Sequence, residues 1–412
     1  MIIVAQLGAR MHYAVATILH RAGMLERFFT DIYAPRLPKP LRELTSRYGP
    51  SSFRRLLGRV PVDIPRAKIT SFDVMGLEYN WRLRRAISPE LATEAYLWAG
   101  REFCRRIIHC GLGSANCIYT FNSAGLELQQ HARSQGVFTA MEQTSAPGTI
   151  EEKLWREEQS DRPQWLLERK PDPHRNAFQD RERMEWEAAD MILCGSEFVR
   201  DGIRAAGGPT DRCRVVPYGV RPHTANSPRD FRPRPLRVLT VGAVSLMKGT
   251  PYVLEAAKDL KGRAEFRMAG QIKVSLHGQE LLREHVTLLG TVPRSEIQQQ
   301  FAWADVFLLP SICEGSATVC YEALANGLPV ITTPNAGSVV RHGVDGFIVP
   351  IRDSKAIVDS VEHLADCPGL REKMSANALA RSAEFTVEKY GERLIRALEE
   401  ADTTHGLRER VQ

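Results

Sequence analysis

The sequence predicts an α/β protein made of two doubly wound, Rossmann-like halves that face each other across a cleft. Three observations carry this. Residues 2–22 read as an apolar strand, a turn at Gly8 and a helix-spaced segment, the opening grammar of a doubly wound sheet. The same grammar restarts at Leu236, directly after the proline-rich, aperiodic stretch PHTANSPRDFRPRP. Residues 304–333, ADVFLLPSICEGSATVCYEALANGLPVITT, read as strand, loop, helix, loop and strand in one run.

A chain of 412 residues exceeds one ordinary core. The boundaries read as a first half over 1–221, a linker over 222–235, a second half over 236–384, and a C-terminal helix over 385–412 that crosses back to the first half. In order, a strand at 2–7 leads to a helix over 11–22. Residues 30–90 hold prolines at 35, 38, 40, 50, 61, 65 and 89 and read as irregular. A helix at 91–110 precedes strands at 117–121 and 137–141, with a helix at 125–133 between them. Glu142 to Ser145 then fall just past a strand end, where open sheets place ligand groups. Residues 150–170 are charged and partly helical in pattern. A helix at 181–189, a strand at 191–194, a helix capped by Ser196 and a strand at 214–217 complete the half.

The second half opens with a strand at 236–241, the loop Leu246 to Gly249, and a helix with Pro251 in its first turn. Strands at 264–269 and 285–289 and a helix at 296–302 lead to Val306–Leu309, an apolar run suited to burial on both faces. A polar loop at 311–316 then enters a helix over 317–325, with Ser316 or Thr318 as its N-cap and Asn326-Gly327 as its stop. Strands at 329–333 and 347–350 follow, then helices at 353–364, 370–384 and 386–401.

Hydrophobic content of 43% and charged content of 25% are those of a soluble globular protein. No apolar run approaches the roughly 20 residues of a membrane span. The first ten residues lack the basic region of a signal peptide. Eight cysteines without a Cys-x-x-Cys pair argue against a zinc site or a disulfide framework and for a reducing cytoplasm. Residues 1–100 carry 15 Lys or Arg against 8 Asp or Glu, a net +7, with clusters at Arg54-Arg55 and Arg84-Arg85 and a further one at Arg105-Arg106. Such a surface suits an anionic acceptor or the anionic inner face of a cell membrane. No nucleic-acid motif accompanies the charge. A full Gly-x-Gly-x-x-Gly is missing at 2–22, against a nicotinamide dinucleotide site.

The loop-to-helix junction at 311–322 holds the chemistry. A helix start after a parallel strand seats a diphosphate on its free N–H groups. Glu314 and Glu322, seven residues between them, suit sugar hydroxyls better than phosphate. The pattern is that of a nucleotide-sugar site.

Four stretches carry a resemblance: WEAADMILCGSEFVRDGIRAAG with RVVPYGV, VGAVSLMKGTPYVLEAA, CEGSATVCYEALANGLPVITT, and NAGSVVRHGVDGFIVP. They resemble the GT-B fold glycosyltransferases, and within them the family 4 retaining nucleotide-sugar enzymes. The resemblance implies sugar transfer with retention, from a UDP-sugar or a GDP-sugar, to a glycan or lipid-linked acceptor, with no cofactor. It implies that Glu322 accepts from the ribose hydroxyls and Glu314 from the donor sugar. Gly315, Ser316, Ala317 and Thr318 meet the phosphates or the sugar, and Lys248 neutralises the leaving diphosphate. Gly242 ends the first strand of the half, and Val292 lies in the loop that packs on the base. In the first half, Gly8, Arg10 and His12 line the cleft.

Two positions depart from the family pattern. Ala243 stands where an arginine is usual, and Lys273 is the expected substitute cation. Gln143 stands where many relatives have a histidine; it is expected to orient donor or acceptor, with Glu142 beside it as a base. The sequence contains no Asp-x-Asp, so a metal-independent reaction is expected. Epimerases and phosphorylases share this cleft, though a phosphorylase needs a cofactor lysine that is not identifiable here. A protein that binds a nucleotide sugar or a partner without transferring anything is the non-enzymatic alternative.

Overall fold

The computed structural model describes residues 1–36, 63–167, 172–221 and 234–405. Most of the linker read at 222–235, four of the prolines of residues 30–90 and the Arg54-Arg55 cluster lie outside the described residues.

The first half runs β1 (Ile2–Gln6), α1 (Ala14–Arg21), β2 (Leu25–Thr30), β3 (Ile69–Ser71), α2 (Asp73–Arg85), α3 (Pro89–Cys110), β4 (Cys117–Phe121), α4 (Leu126–Ser134), β5 (Phe138–Gln143), α5 (Gly148–Asp161), α6 (Arg175–Ala188), β6 (Met191–Cys194), α7 (Glu197–Ala205) and β7 (Cys213–Val215). The second runs β8 (Leu236–Val241), α8 (Thr250–Asp259), β9 (Ala264–Ala269), α9 (Leu276–Arg283), β10 (Val286–Gly290), α10 (Ile297–Trp303), β11 (Val306–Leu309), α11 (Thr318–Ala325), β12 (Val330–Thr332), β13 (Gly346–Ile348), α12 (Ser354–Asp366), α13 (Pro368–Ala383) and α14 (Val387–His405).

The strands form two sheets, ordered β3-β2-β1-β4-β5-β6-β7 and β10-β9-β8-β11-β12-β13. Every pairing between named strands is parallel. Helices cover both faces, so the central strands are buried throughout, as β1, β4 and β11 are. In each sheet the order reverses once, between β1 and β4 and between β8 and β11. Ligands of open parallel sheets bind at such switch points, beyond the carboxyl ends of the strands.

Three local readings are corrected. The helix expected over 11–22 starts only at Ala14. Met11, His12 and Tyr13 before it take left-handed conformations, with φ of 44°, 51° and 65°. The residues read as irregular contain β3 and the 13-residue α2, and the unread stretch Leu25–Thr30 is a strand. Its sequence LERFFT sets two charges beside two fully buried phenylalanines, so it carries no clean period. Helix α11 has neither Ser316 nor Thr318 as its cap: Ala317 holds the N-cap position, without a capping side chain.

Two connections join the halves. After Phe385 the chain pairs beside Val220, whose N–H donates to the Phe385 carbonyl (2.9 Å). Helix α14 then packs on α1, burying Tyr390 and Leu394 in one cluster with Tyr13, Ile18 and Leu19. Arg393 ties this crossing to the carbonyl of Pro217 (3.0 Å). The second connection is a strap, residues 148–167. The carboxylate of Glu158 on α5 is fully buried and accepts from Tyr252 Oη on α8 (3.1 Å) and from Arg352 Nε (2.5 Å). Trp165, a few residues on, lies in the core of the second half with Leu254 and Leu282. Residues read only as a charged, partly helical segment are therefore bound to the far half.

Candidate active site

The loop after β8 and the loop after β11 meet at the switch point of the second sheet. Tight backbone contact holds them together. Ile312 N–H donates to the Met247 carbonyl (2.9 Å). Gly249, at φ +73°, lies so close to Pro310 that a Cβ there would overlap the Pro310 carbonyl. The 3-10 turn Leu246–Lys248 thereby aims Lys248 at Glu314, and the ammonium and carboxylate form an ion pair. Burial pushes the Lys248 ammonium down to about 8. The two opposite charges neutralise each other in a partly desolvated place until a ligand takes up either partner.

Glu314 and Gly315 are braced from both sides. Glu314 N–H donates to the Asn335 carbonyl (3.1 Å), and Ala146 N–H, from the other half, donates to the Glu314 carbonyl (3.3 Å). Ser196, which caps α7, also donates its hydroxyl to the Gly315 carbonyl (2.6 Å). A Cβ on Gly315 would overlap the Thr144 carbonyl and stand 2.8 Å from Ser145 Cα, so the halves touch here at glycine distance. Ser316 Oγ lies 3.0 Å from Tyr321 Oη and 3.2 Å from the Gly337 carbonyl. Ala317 N–H is taken by the Ala336 carbonyl (3.0 Å). The first turn of α11 has no capping side chain; its Cys320 N–H turns back to the Ala317 carbonyl (2.9 Å), and its positive dipole end is open to an anion.

Glu322 stands in the second turn of α11. Its carboxylate has no hydrogen bond or ion pair among the described residues. Burial raises its pKa, and the charge of Arg294 pulls it back down. Arg294 also meets the ring of His12 across the cleft. Burial, then the charges of Arg294 and Arg221, lower the His12 pKa, so that ring is neutral at neutral pH. Val292 is half-buried in the same loop as Arg294. In the first half, Gly8 turns at φ +84° with open space where a Cβ would be, and its N–H donates to Asp31 (3.1 Å). Arg10 meets the hydroxyl of Thr144.

The structure thus gathers Lys248, Glu314, Gly315, Ser316, Ala317, Thr318 and Glu322 around one helix start, below Gly242, with His12 facing it through Arg294. Three expected residues do not join them. Gln143 is fully buried: its amide donates to Glu182 (2.7 Å) and the Ser145 carbonyl (3.1 Å), and accepts from Trp186 (3.0 Å). Glu142, still inside β5, accepts from the hydroxyls of Tyr119 (2.6 Å) and Tyr218 (2.8 Å). Both are core polar groups, because β5 runs two residues further than the sequence pattern indicates. Lys273 is exposed on the rim; its N–H holds the Val244 carbonyl (2.8 Å), but its side chain has no partner among the described residues. Sequence reasoning missed Arg294. The signal was a lone cation directly after Val292-Pro293, in a loop already assigned to the base.

Residues 226–381 match the sequence profile of the glycosyl transferases group 1 family. The second half of the chain is a group 1 glycosyltransferase domain. The amylovoran biosynthesis glycosyltransferase AmsK of Erwinia amylovora is 31% identical over 186 residues, 41% of this chain and 46% of that protein. The alpha-D-kanosaminyltransferase of Streptomyces kanamyceticus is 28% identical over 257 residues, 57% of this chain and 66% of its own length. The chain thus spans about half to two-thirds of these relatives. HepE of Anabaena, solved in complex with UDP, superposes with a TM-score of 0.62 at 14% identity, over 97% of this chain and 99% of that one. Sucrose-phosphate synthase of Thermosynechococcus elongatus superposes at 0.63, with 16% identity, over 98% and 99%. At such identities the likeness establishes the GT-B fold, in which the group 1 domain is the second of two facing sheets.

Proposed function

We propose that the chain is a retaining, metal-independent glycosyltransferase that moves a sugar from a nucleotide-diphosphate donor to a glycan or lipid-linked acceptor. The observation that carries this reading is the Lys248–Glu314 pair at the uncapped start of α11, with the Glu322 carboxylate beside it unpaired among the described residues. The donor's diphosphate takes the first turn of α11 and the Lys248 ammonium. Glu314, released from Lys248, turns to the sugar hydroxyls, while Glu322 accepts from the ribose. Lys248 and the helix N–H groups stabilise charge as the bond from the anomeric carbon to phosphate breaks. The acceptor oxygen bonds to that carbon on the same face, and its proton passes to the departing phosphate. Retention of this kind needs no protein base, which agrees with Glu142 and Gln143 being turned into the core.

UDP is favoured over GDP because HepE was solved with UDP and UDP-glucose. The acceptor class follows the Erwinia relative, whose name assigns it to amylovoran biosynthesis. Such an acceptor places the enzyme in the cytoplasm, at the inner face of the membrane. A screen of UDP- and GDP-sugars for donor hydrolysis, then transfer to a lipid extract, tests the reading. Turnover of one donor is expected, falling about 10²–10³-fold in Lys248→Ala and also lost in Glu314→Ala, with EDTA without effect. Lys248→Ala at wild-type turnover, or EDTA inhibition reversed by Mn²⁺, would overturn it.

A further inference from the structure

The hairpin of α2 and α3 carries chemistry that sugar transfer does not use. Its helices pack antiparallel, with Phe72 against Phe103 and Tyr79 against Tyr96, ring centroids 5.9 and 6.4 Å apart. Arg82 stacks on Trp98 at 4.1 Å. The base of the hairpin is pinned at the carboxyl ends of the strands. Phe72 N–H donates to the Thr30 carbonyl at the end of β2 (3.0 Å), and Gly100 packs so closely on the Ser123 carbonyl beyond β4 that a Cβ would overlap it. From that base α2 continues for 13 residues, about 20 Å of helix. Its end and the start of α3 therefore project past the sheet, on the cleft side.

The outer face of this projection is apolar. Helix α2 turns Met75 and Gly76 inward and leaves Val74, Leu77 and Trp81 outside at helical spacing, 77%, 50% and 53% exposed. Ile87, in the turn, is 89% exposed, and Leu91 follows at 41%. Apolar side chains in this arrangement normally face a core. Basic groups fringe them: Arg85 lies over the Trp81 ring at 4.3 Å, and Arg84 is exposed beside it. Glu78 on this face is paired with Arg82 (2.8 Å), and Glu90 sits in the first turn of α3, where it complements the dipole. Tryptophan and arginine around an apolar tip are the composition of an interfacial anchor. The net +7 of residues 1–100 adds long-range attraction to an anionic surface.

We propose that the α2–α3 tip docks on an anionic lipid bilayer. Trp81, Ile87 and Leu91 enter the headgroup layer, and Arg84 and Arg85 meet the lipid phosphates. The chain attaches without crossing, in accord with the lack, among the described residues, of a helix long and apolar enough to span. Docking there brings the cleft mouth to the bilayer; that it serves a lipid-linked acceptor rests on the function proposed above.

Flotation of the full chain with phosphatidylcholine vesicles, with and without phosphatidylglycerol, is the test. The chain is expected to float only with the anionic vesicles and to be released by high salt. The bound fraction is expected to fall about tenfold in the double variant Trp81→Ser, Ile87→Ser and in Arg85→Glu. Melting temperature and donor hydrolysis should stay as in wild type. A chain that stays in solution with anionic vesicles, or variants that float like wild type, would overturn the proposal. So would a wild-type dimer in sedimentation that the double variant dissociates, since the tip would then be an interface between copies. Intact flotation in a chain that hydrolyses no donor would leave the docking standing and sink the transferase reading.

Discussion

Two buried or half-buried glutamates behave in opposite ways. Glu142 is satisfied by two tyrosine hydroxyls, whereas Glu322 is desolvated and its carboxylate has no hydrogen-bond partner among the described residues. Glu142→Ala strands both phenols in the core and is expected to cost roughly 2–4 kcal/mol of stability, seen as a lower Tm, with turnover changed by less than about threefold. A loss of turnover without a loss of stability would return Glu142 to the reaction. Glu322 works the other way. Its folded pKa lies above its unfolded one, so the folded state binds more protons between the two, and stability falls as pH rises through that window. Glu322→Gln should therefore melt higher than wild type at neutral pH while its donor KM rises. In wild type, donor binding should weaken as pH falls through the pKa of Glu322, which burial raises above that of an unperturbed glutamate. Arg294→Ala, which removes the charge that lowers this pKa, should move that acid limb to higher pH in a profile of donor KM.

At the level of elements, the site depends on how closely three loops approach. Helix α11 is short, eight residues, and starts without a cap, an arrangement that costs about 1 kcal/mol relative to a good N-cap. A bound anion can offset that. The loop before it passes the other half at glycine distance, Gly315 against Thr144 and Ser145, and the loop after β12 does the same with Gly337 against Ser196. Gly315→Ala is expected to push these loops apart and to lower kcat/KM by about 10²-fold, since misplacement of about 1 Å has that effect. Its melting temperature should change little, because the sheets are untouched. Wild-type kinetics in this variant would mean that the halves do not touch in the working enzyme.

For the molecule as a whole, the strap determines whether the halves behave as one unit. Glu158, Trp165 and the Arg162–Glu255 pair (2.6 Å) bind residues 148–167 to the second sheet, while α14 binds the chain's end to the first. Each half thus contains a piece delivered by the other. Glu158→Ala takes the shared acceptor from the Tyr252 hydroxyl and from Arg352, which keeps its second pair with Glu157 (2.9 Å), a loss of about 1–3 kcal/mol. Calorimetry is expected to turn a single unfolding transition into two, one per sheet. A single transition merely shifted downward would show that α14 and the Val220 crossing suffice to couple the halves.

The two doubly wound patterns, the strands of the second half and the junction from Glu314 to Glu322 were legible in the chain because each rests on local order. Apolar runs bounded by glycine and proline, and two carboxylates at fixed spacing near a helix start, need no distant partner to be recognised. Where local order was weak the reading failed. β2 mixes charges with phenylalanines, α2 lies among prolines and arginines, and α9 went unread. Gln143 and Glu142 look like cleft residues until β5 is seen to continue through them and Tyr119, Tyr218 and Trp186 are seen to receive them. The meeting of Arg294 with His12, 282 residues apart, the strap on the far core and the outward face of Trp81 are equally beyond sequence pattern. Residue order specifies which segments form strands and helices and where the charges of the candidate site reside. Which of those charges remain unpaired, and which are consumed by the core, was decided by tertiary packing, because burial and partnership depend on residues distant in the chain.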